Sequence, residues 1–248
     1  MNDRITIQGR DGAFGAYIAR PNALPAPAVV ALQEVFGVNK DMRRWCDELA
    51  AHGFIAICPD LFWRQGPGVD LNNWSDADWK KGLALYAAYD RDKGVRDIVD
   101  TAQAARKLEG SSGKVGVMGF CLGGLMAFLT VARETIDAAV EYHGGDTDKY
   151  LDEAPNITAP LMIHLAEEDE FISKEAQARI KAALAGKPNV EIYSYPGCNH
   201  AFARHTGTHY NAEAAAKANG RSWQFLADHL SCREQLRRPH LHWLQRPL

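Results

Sequence analysis

Apolar positions along the chain repeat at two periods, and their alternation sets out an order of elements. Ile5-Thr6-Ile7 and Phe14 to Ala19, separated by the turn-like Gly9-Arg10-Asp11-Gly12, read as an antiparallel hairpin. Pro27-Ala28-Val29-Val30-Ala31-Leu32 is a nearly continuous apolar run, the pattern of a strand covered on both faces. Asn39 is placed to cap a helix in which Met42, Trp45, Cys46 and Leu49 recur at helical spacing, with Gly53 closing it. Phe54 to Cys58 then resumes as a buried strand. From Leu61-Phe62-Trp63 through Trp74 and Trp79 the chain is polar and tryptophan-rich, with Gly66-Pro67-Gly68 marking a loop of a length that often forms a site wall.

A helical pattern runs from about Asp90 to Leu108, and the strand Lys114-Val115-Gly116-Val117-Met118 follows a polar turn. Strands Ala138 to Tyr142 and Leu161 to Leu165 come next, then helix Lys174 to Leu184, strand Val190 to Tyr195, and a last helix from about Tyr210 to Leu230. Strands alternating with helices predict a mostly parallel central sheet with helices on both faces, where functional residues lie just beyond the carboxyl ends of strands. Residues 1–230 read as a single domain, an ordinary length for one core. The segment 231–248, with Arg237-Arg238-Pro239 and Trp243, lacks a clean period and reads as a C-terminal extension outside that core. Its His240 and His242 alternate as metal ligands can, although a plain polar tail has the same composition.

Composition narrows the classes. An apolar share of 46% with 24% charged residues is globular, and a net charge of -3 gives no basic excess for nucleic acid or an anionic membrane. The start, Met1-Asn2-Asp3-Arg4-Ile5, has no apolar leader pattern, and no run approaches the roughly 20 apolar residues that span a bilayer. A cytoplasmic protein, monomeric or a weak homodimer, is the expectation. Five scattered cysteines without C-x-x-C spacing suggest reduced thiols, neither a disulfide framework nor a zinc site.

The chemistry concentrates at Gly119-Phe120-Cys121-Leu122-Gly123-Gly124, between a predicted strand and the apolar helix Leu125 to Ala132. This is the nucleophile-elbow pattern of α/β-hydrolases with cysteine in place of serine. Glycines at 119 and 123 fit a turn too tight for side chains at those places. The helix N-terminus favours a thiolate at Cys121, and the Leu122 N–H is placed to receive an oxyanion. A cysteine beside glycines also fits mere packing. Asp169, after strand Leu161 to Leu165, and His200, after strand Val190 to Tyr195, supply the acid and the histidine in the order α/β-hydrolases use. Taken singly, Asp169 among Glu167, Glu168 and Glu170 reads equally as a solvated acidic loop, and His200 as an ordinary loop histidine.

With these residues in view, the chain over about 5–230 resembles the dienelactone hydrolase (carboxymethylenebutenolidase) family. The matching segments are Gln33-Glu34-Val35-Phe36-Gly37, Cys58-Pro59-Asp60-Leu61, Lys114 to Gly124, Glu168-Asp169 and His200-Ala201-Phe202-Ala203-Arg204. The resemblance implies an α/β-hydrolase fold and a cysteine-dependent hydrolase of a lactone or activated ester that needs no metal or organic cofactor. It implies a Cys121–His200–Asp169 triad, with Glu34 contacting the resting cysteine and taking part in its activation. Val35 and Leu122 would supply the oxyanion amides. Arg204 would hold a substrate carboxylate. The family's second arginine should fall near Trp79, where the chain has Lys80 and Lys81; these offer charge without the bidentate fork, or form a solvated helix face. Phe36, Tyr86, Tyr142 and His143 are candidate pocket walls and equally ordinary core or surface. Cys198, two residues before His200, is a candidate partner for Cys121 in a regulatory disulfide, or an unrelated loop thiol. A thiol-based redox protein and a non-catalytic small-ligand receptor are the rival classes.

Overall fold

The computed structural model describes residues 3–231. Eight strands form one sheet: β1 (Arg4–Gly9), β2 (Gly12–Ala19), β3 (Ala26–Leu32), β4 (Ile55–Pro59), β5 (Ser111–Phe120), β6 (Ala138–Tyr142), β7 (Leu161–Ala166) and β8 (Val190–Tyr195). Their order in space is β1-β2-β4-β3-β5-β6-β7-β8. β2 pairs antiparallel with β1 and β4, and every pairing from β4 to β8 is parallel. Six helices cover it: α1 (Lys40–Ala51), α2 (Asp76–Ala88), α3 (Arg91–Arg106), α4 (Leu122–Arg133), α5 (Lys174–Leu184) and α6 (Ala212–Leu230).

The continuous apolar run of β3 is explained by its place in the middle of this sheet. Val30 and Leu32 pack into a core with Ile57, Val117 and residues of α3, α4 and α5. Val29 and Ala31 face the opposite way, into a second core with Met118, Trp45 of α1 and Leu226 of α6. Period-two alternation thus feeds two hydrophobic layers, and each large aliphatic side chain buried there contributes about 1.5–3 kcal/mol. Because β3, β5, β7 and β8 run parallel, the chain leaves all four at the same edge of the sheet, and the loops after them meet there.

Two features depart from the expected order. The tryptophan-rich stretch contains α2, capped by Ser75, whose side chain accepts the Asp78 N–H. Its only buried residue is Gly82, so it has no apolar stripe and no helical period for a sequence reading to detect. β6 reaches β7 through two short 3-10 turns, Thr147–Lys149 and Leu151–Asn156. Apart from Ser231, the proposed C-terminal extension, including His240 and His242, lies outside the described residues. Among those residues, no helix is long and apolar enough to cross a membrane.

Candidate active site

β5 runs into α4 through Cys121, which has φ 54° and ψ -112°. A non-glycine residue in that region carries strain on the order of 1–3 kcal/mol and needs neighbours that fix it. They are present: the Cys121 N–H donates to the Tyr142 carbonyl at 3.1 Å, and the Cys121 carbonyl accepts from Leu125 and Gly145 at 3.1 and 3.3 Å. A Cβ on Gly119 would collide with the Gly123 backbone, and one on Gly123 with the Leu32 carbonyl. These two glycines let β5, α4 and the end of β3 close on one another, which pushes Cys121 out at the sheet edge.

His200 and Asp169 arrive from the loops after β8 and β7. Nδ1 of His200 lies 3.0 and 2.9 Å from the two Asp169 carboxylate oxygens. Asp169 is itself fixed by accepting the Phe171 and Ile172 N–H groups at 2.9 and 3.1 Å. Asn199 ties the two loops together, its Oδ1 accepting the His200 N–H at 2.6 Å and the Glu170 N–H at 2.9 Å. The other ring nitrogen, Nε2, is buried without a hydrogen-bond partner. Burial disfavours the charged ring, but a thiolate at Cys121 and the carboxylate of Asp169 outweigh it and push the His200 pKa up to about 10. Cys121, His200 and Asp169 are therefore one electrostatic unit, although Nε2 and the sulfur are not aligned as a hydrogen bond.

Two amides complete the edge. Leu122 is the first residue of α4, so its N–H has no acceptor within the helix. Neither it nor the Val35 N–H donates to any other group among the described residues. Gly82 lets α2 approach the Val35 carbonyl, where an added Cβ would stand 2.7 Å from the oxygen.

A cavity of about 150 Å³ opens over Cys121 and His200, walled by Val35, Phe36, Trp79, Leu83, Tyr86 and Phe171. Trp79 meets Phe36 edge to face at 4.8 Å and stacks with Phe171 at 6.5 Å, while Phe171 and His200 meet edge to face at 4.9 Å. Tyr86 donates to Asp146 at 2.5 Å on the far side. Glu34 and Arg204 close the polar end.

Several sequence expectations are relocated. Glu34 makes no hydrogen bond to Cys121; both its oxygens are taken by Arg204, Nε at 2.9 Å and Nη2 at 2.8 Å. The fork of Arg204 matches the carboxylate, and in so buried a place each charge needs the other. Lys80 and Lys81 point to solvent from α2 and do not line the cavity. Tyr142 is fully buried, with its hydroxyl bonded to Asn219 and Ser222, so it is core. His143 packs behind His200, ring centres 4.4 Å apart, and burial, then the charge of His200, holds it neutral. Cys198 lies in a separate groove with Lys217 and Arg221 and does not share the cavity of Cys121. Trp79 comes from the tryptophan-rich stretch whose length suggested a site wall, while Leu83, Phe171, Asp146 and Asn199 also belong to the site and were not singled out as its residues. Of these four, the position of Phe171, two residues past Asp169, carried a usable signal. No metal-binding cluster occurs among the described residues.

A mostly parallel sheet whose strand ends bring an elbow residue, an acid and a histidine together in that chain order defines an α/β-hydrolase. Residues 14–230 match the dienelactone hydrolase family, and the chain belongs to it. It is 37% identical over 228 residues to the carboxymethylenebutenolidase of Pseudomonas putida, covering 92% of this chain and 97% of that one. It is 43% identical over 232 residues to an Azospirillum brasilense protein provisionally described as a carboxymethylenebutenolidase, covering 93% of this chain and all of that one. A crystal structure from Klebsiella pneumoniae, provisionally described as a dienelactone hydrolase, superposes with a TM-score of 0.79 at 29% identity over 90% of this chain and 97% of its own. The protein is a hydrolase of ester or lactone bonds.

Proposed function

We propose that the protein hydrolyses a small lactone or activated ester by nucleophilic attack of Cys121, as a dienelactone hydrolase does. The observation that carries this reading is the buried His200, held by Asp169 at Nδ1 and left free at Nε2 beside an outward-pushed Cys121. His200 accepts the thiol proton, and the resulting thiolate attacks the carbonyl carbon. The Leu122 and Val35 N–H groups receive the oxyanion. Collapse breaks the bond to the ring or leaving oxygen, which departs as an alcohol or enol with the proton from His200. Acylation removes the thiolate charge that helped hold the proton on His200. The neutral ring can then draw a proton from water, whose oxygen attacks the thioester and releases the acid.

Arg204 is the anchor for a substrate carboxylate in this reading. Glu34 occupies its fork at rest, and an incoming carboxylate replaces Glu34 as like for like, so the guanidinium is never left bare. Phe36, Trp79 and Phe171 flank a flat unsaturated ring. No cofactor takes part. A reactive thiolate among free cysteines suits a reducing, cytoplasmic setting.

The test is steady-state hydrolysis of a carboxymethylene lactone and of uncharged aryl esters, with intact mass of the acylated enzyme. Cys121→Ala should abolish turnover of both, and wild type quenched early should carry one acyl group on Cys121. Retained turnover in Cys121→Ala would overturn the reading. Peroxide consumption without ester turnover would favour the redox alternative.

A further inference from the structure

The residue after Arg204 plays no part in the chemistry above, yet it is held as few loop histidines are. Asp41, Trp45 and Glu48 fall on one face of α1, and all three meet the His205 ring. Nδ1 lies 2.8 Å from Asp41 Oδ1, Nε2 lies 2.9 Å from Glu48 Oε1, and the ring centre is 4.7 Å from that of Trp45. The His205 N–H also donates to Asp41 at 3.2 Å. A carboxylate beside each nitrogen favours the imidazolium, with Nδ1 hydrogen-bonded to Asp41 and Nε2 meeting Glu48 as an ion pair and not as an aligned hydrogen bond. Burial works against that proton, but Asp41 and Glu48 hold it, up to about pH 9.

The charged groups here form an alternating row from cavity to surface. Glu34, from the loop after β3, grips Arg204; Asp41 of α1 acts on Arg204 and bonds His205. Glu48 of α1 pairs with His205 and accepts from Arg44 at 3.2 Å. Asp41 is therefore a second carboxylate beside the Arg204–His205 segment; it makes no ion pair with the guanidinium, which Glu34 holds, and is engaged by the ring and N–H of His205.

We propose that His205 is a positioning residue: as an imidazolium it keeps Asp41 from competing for Arg204, and so reserves the guanidinium for the carboxylate of the substrate. This rests on the reading of Arg204 as the carboxylate anchor. Without the charge on His205, Asp41 draws Arg204 toward α1 and away from the cavity. The effect falls on binding of anionic substrates and spares uncharged ones, which do not use Arg204.

The experiment compares KM and kcat for a carboxylated lactone and an uncharged aryl ester in wild type, His205→Gln, Asp41→Asn/His205→Gln and Arg204→Met. His205→Gln should raise KM for the carboxylated lactone about tenfold, the scale of one charge-assisted contact, with kcat changed less than about twofold. The double variant, which removes the competing carboxylate as well, should return KM to near the wild-type value. In wild type the same KM should climb as pH rises through about 9, and in the double variant it should not. Equal losses on both substrates, unrepaired by Asp41→Asn, would mean a merely structural role and overturn the proposal. An unchanged KM in His205→Gln, with Arg204→Met losing its preference for the carboxylated lactone, would overturn it and leave the anchor standing. A preference that survives Arg204→Met would remove the anchor reading and this proposal together. If His205→Gln does not fold, the double variant and the wild-type pH profile decide.

Discussion

Arg204 and Glu34, 170 residues apart in the chain, are joined by two parallel hydrogen bonds of 2.9 and 2.8 Å at the polar end of the cavity. Glu34→Gln halves the match and leaves a guanidinium buried against a neutral amide. Breaking one member of such a pair should cost about 3–5 kcal/mol, read as a lower urea midpoint. Arg204→Met in the same chain should recover much of that loss, because two charges then leave the interior together. A Glu34→Gln protein as stable as wild type would show that the pair is well hydrated.

Asp169 faces His200 Nδ1 and cannot be replaced by its amide without changing what the ring sees. Asp169→Asn should lower kcat by roughly 10⁴-fold, with KM for the lactone nearly unchanged, since the imidazole loses both its orientation and the charge that favours its proton. A loss confined to KM would assign Asp169 to binding.

Two glycines should respond to alanine with opposite signs. Gly123→Ala places a Cβ into the Leu32 carbonyl and should destabilise by more than about 4 kcal/mol or prevent folding. Gly220, exposed on α6 with open space around it, should gain up to about 1 kcal/mol as alanine. Thermal melts of the two variants give both signs.

Glu141 on β6 is fully buried; burial pushes its carboxyl up to about 8, against the opposing hydrogen bonds from Thr147 and Gly144. A carboxyl with a raised folded pKa is protonated in the fold while already ionised in the unfolded chain. At this group the unfolded state thus binds fewer protons between the ordinary Glu value of 4.5 and about 8, so the contribution of Glu141 to stability falls across that window. Glu141→Gln should flatten this fall, measured as urea stability at steps from pH 4.5 to 8. An unchanged slope would mean that Glu141 ionises inside the fold at ordinary pH.

The parts of this site legible in the sequence are those written in a local code. The strand, glycine and helix around Cys121 lie within about a dozen residues, and Asp169 and His200 each follow a recognisable strand, fully buried in β7 and half-buried in β8. α2 escaped because a helix with one buried residue, and that a glycine, has no periodic face. The engagement of Arg204 by Glu34 depends on two loops meeting in space, which no local pattern encodes. Tyr142 looked like a wall because it ends a strand at the right edge, but its side chain faces the α6 layer. Lys80 and Lys81 stood at the right sequence distance and on the wrong side of their helix.

The turn after β7 does two jobs that cannot drift apart: Asp169 orients the histidine, and Phe171, anchored to the same carboxylate through its N–H, walls the cavity. α2 is built the other way. It contributes Trp79, Leu83 and Tyr86 to the wall while burying only Gly82. Sequence change at those three wall positions alters the shape of the cavity and leaves the sheet, the turn at Cys121 and the His200–Asp169 contact as they are. In an enzyme lineage that meets new molecules, α2 is the interchangeable jaw of the tool, and the turn after β7 its fixed one.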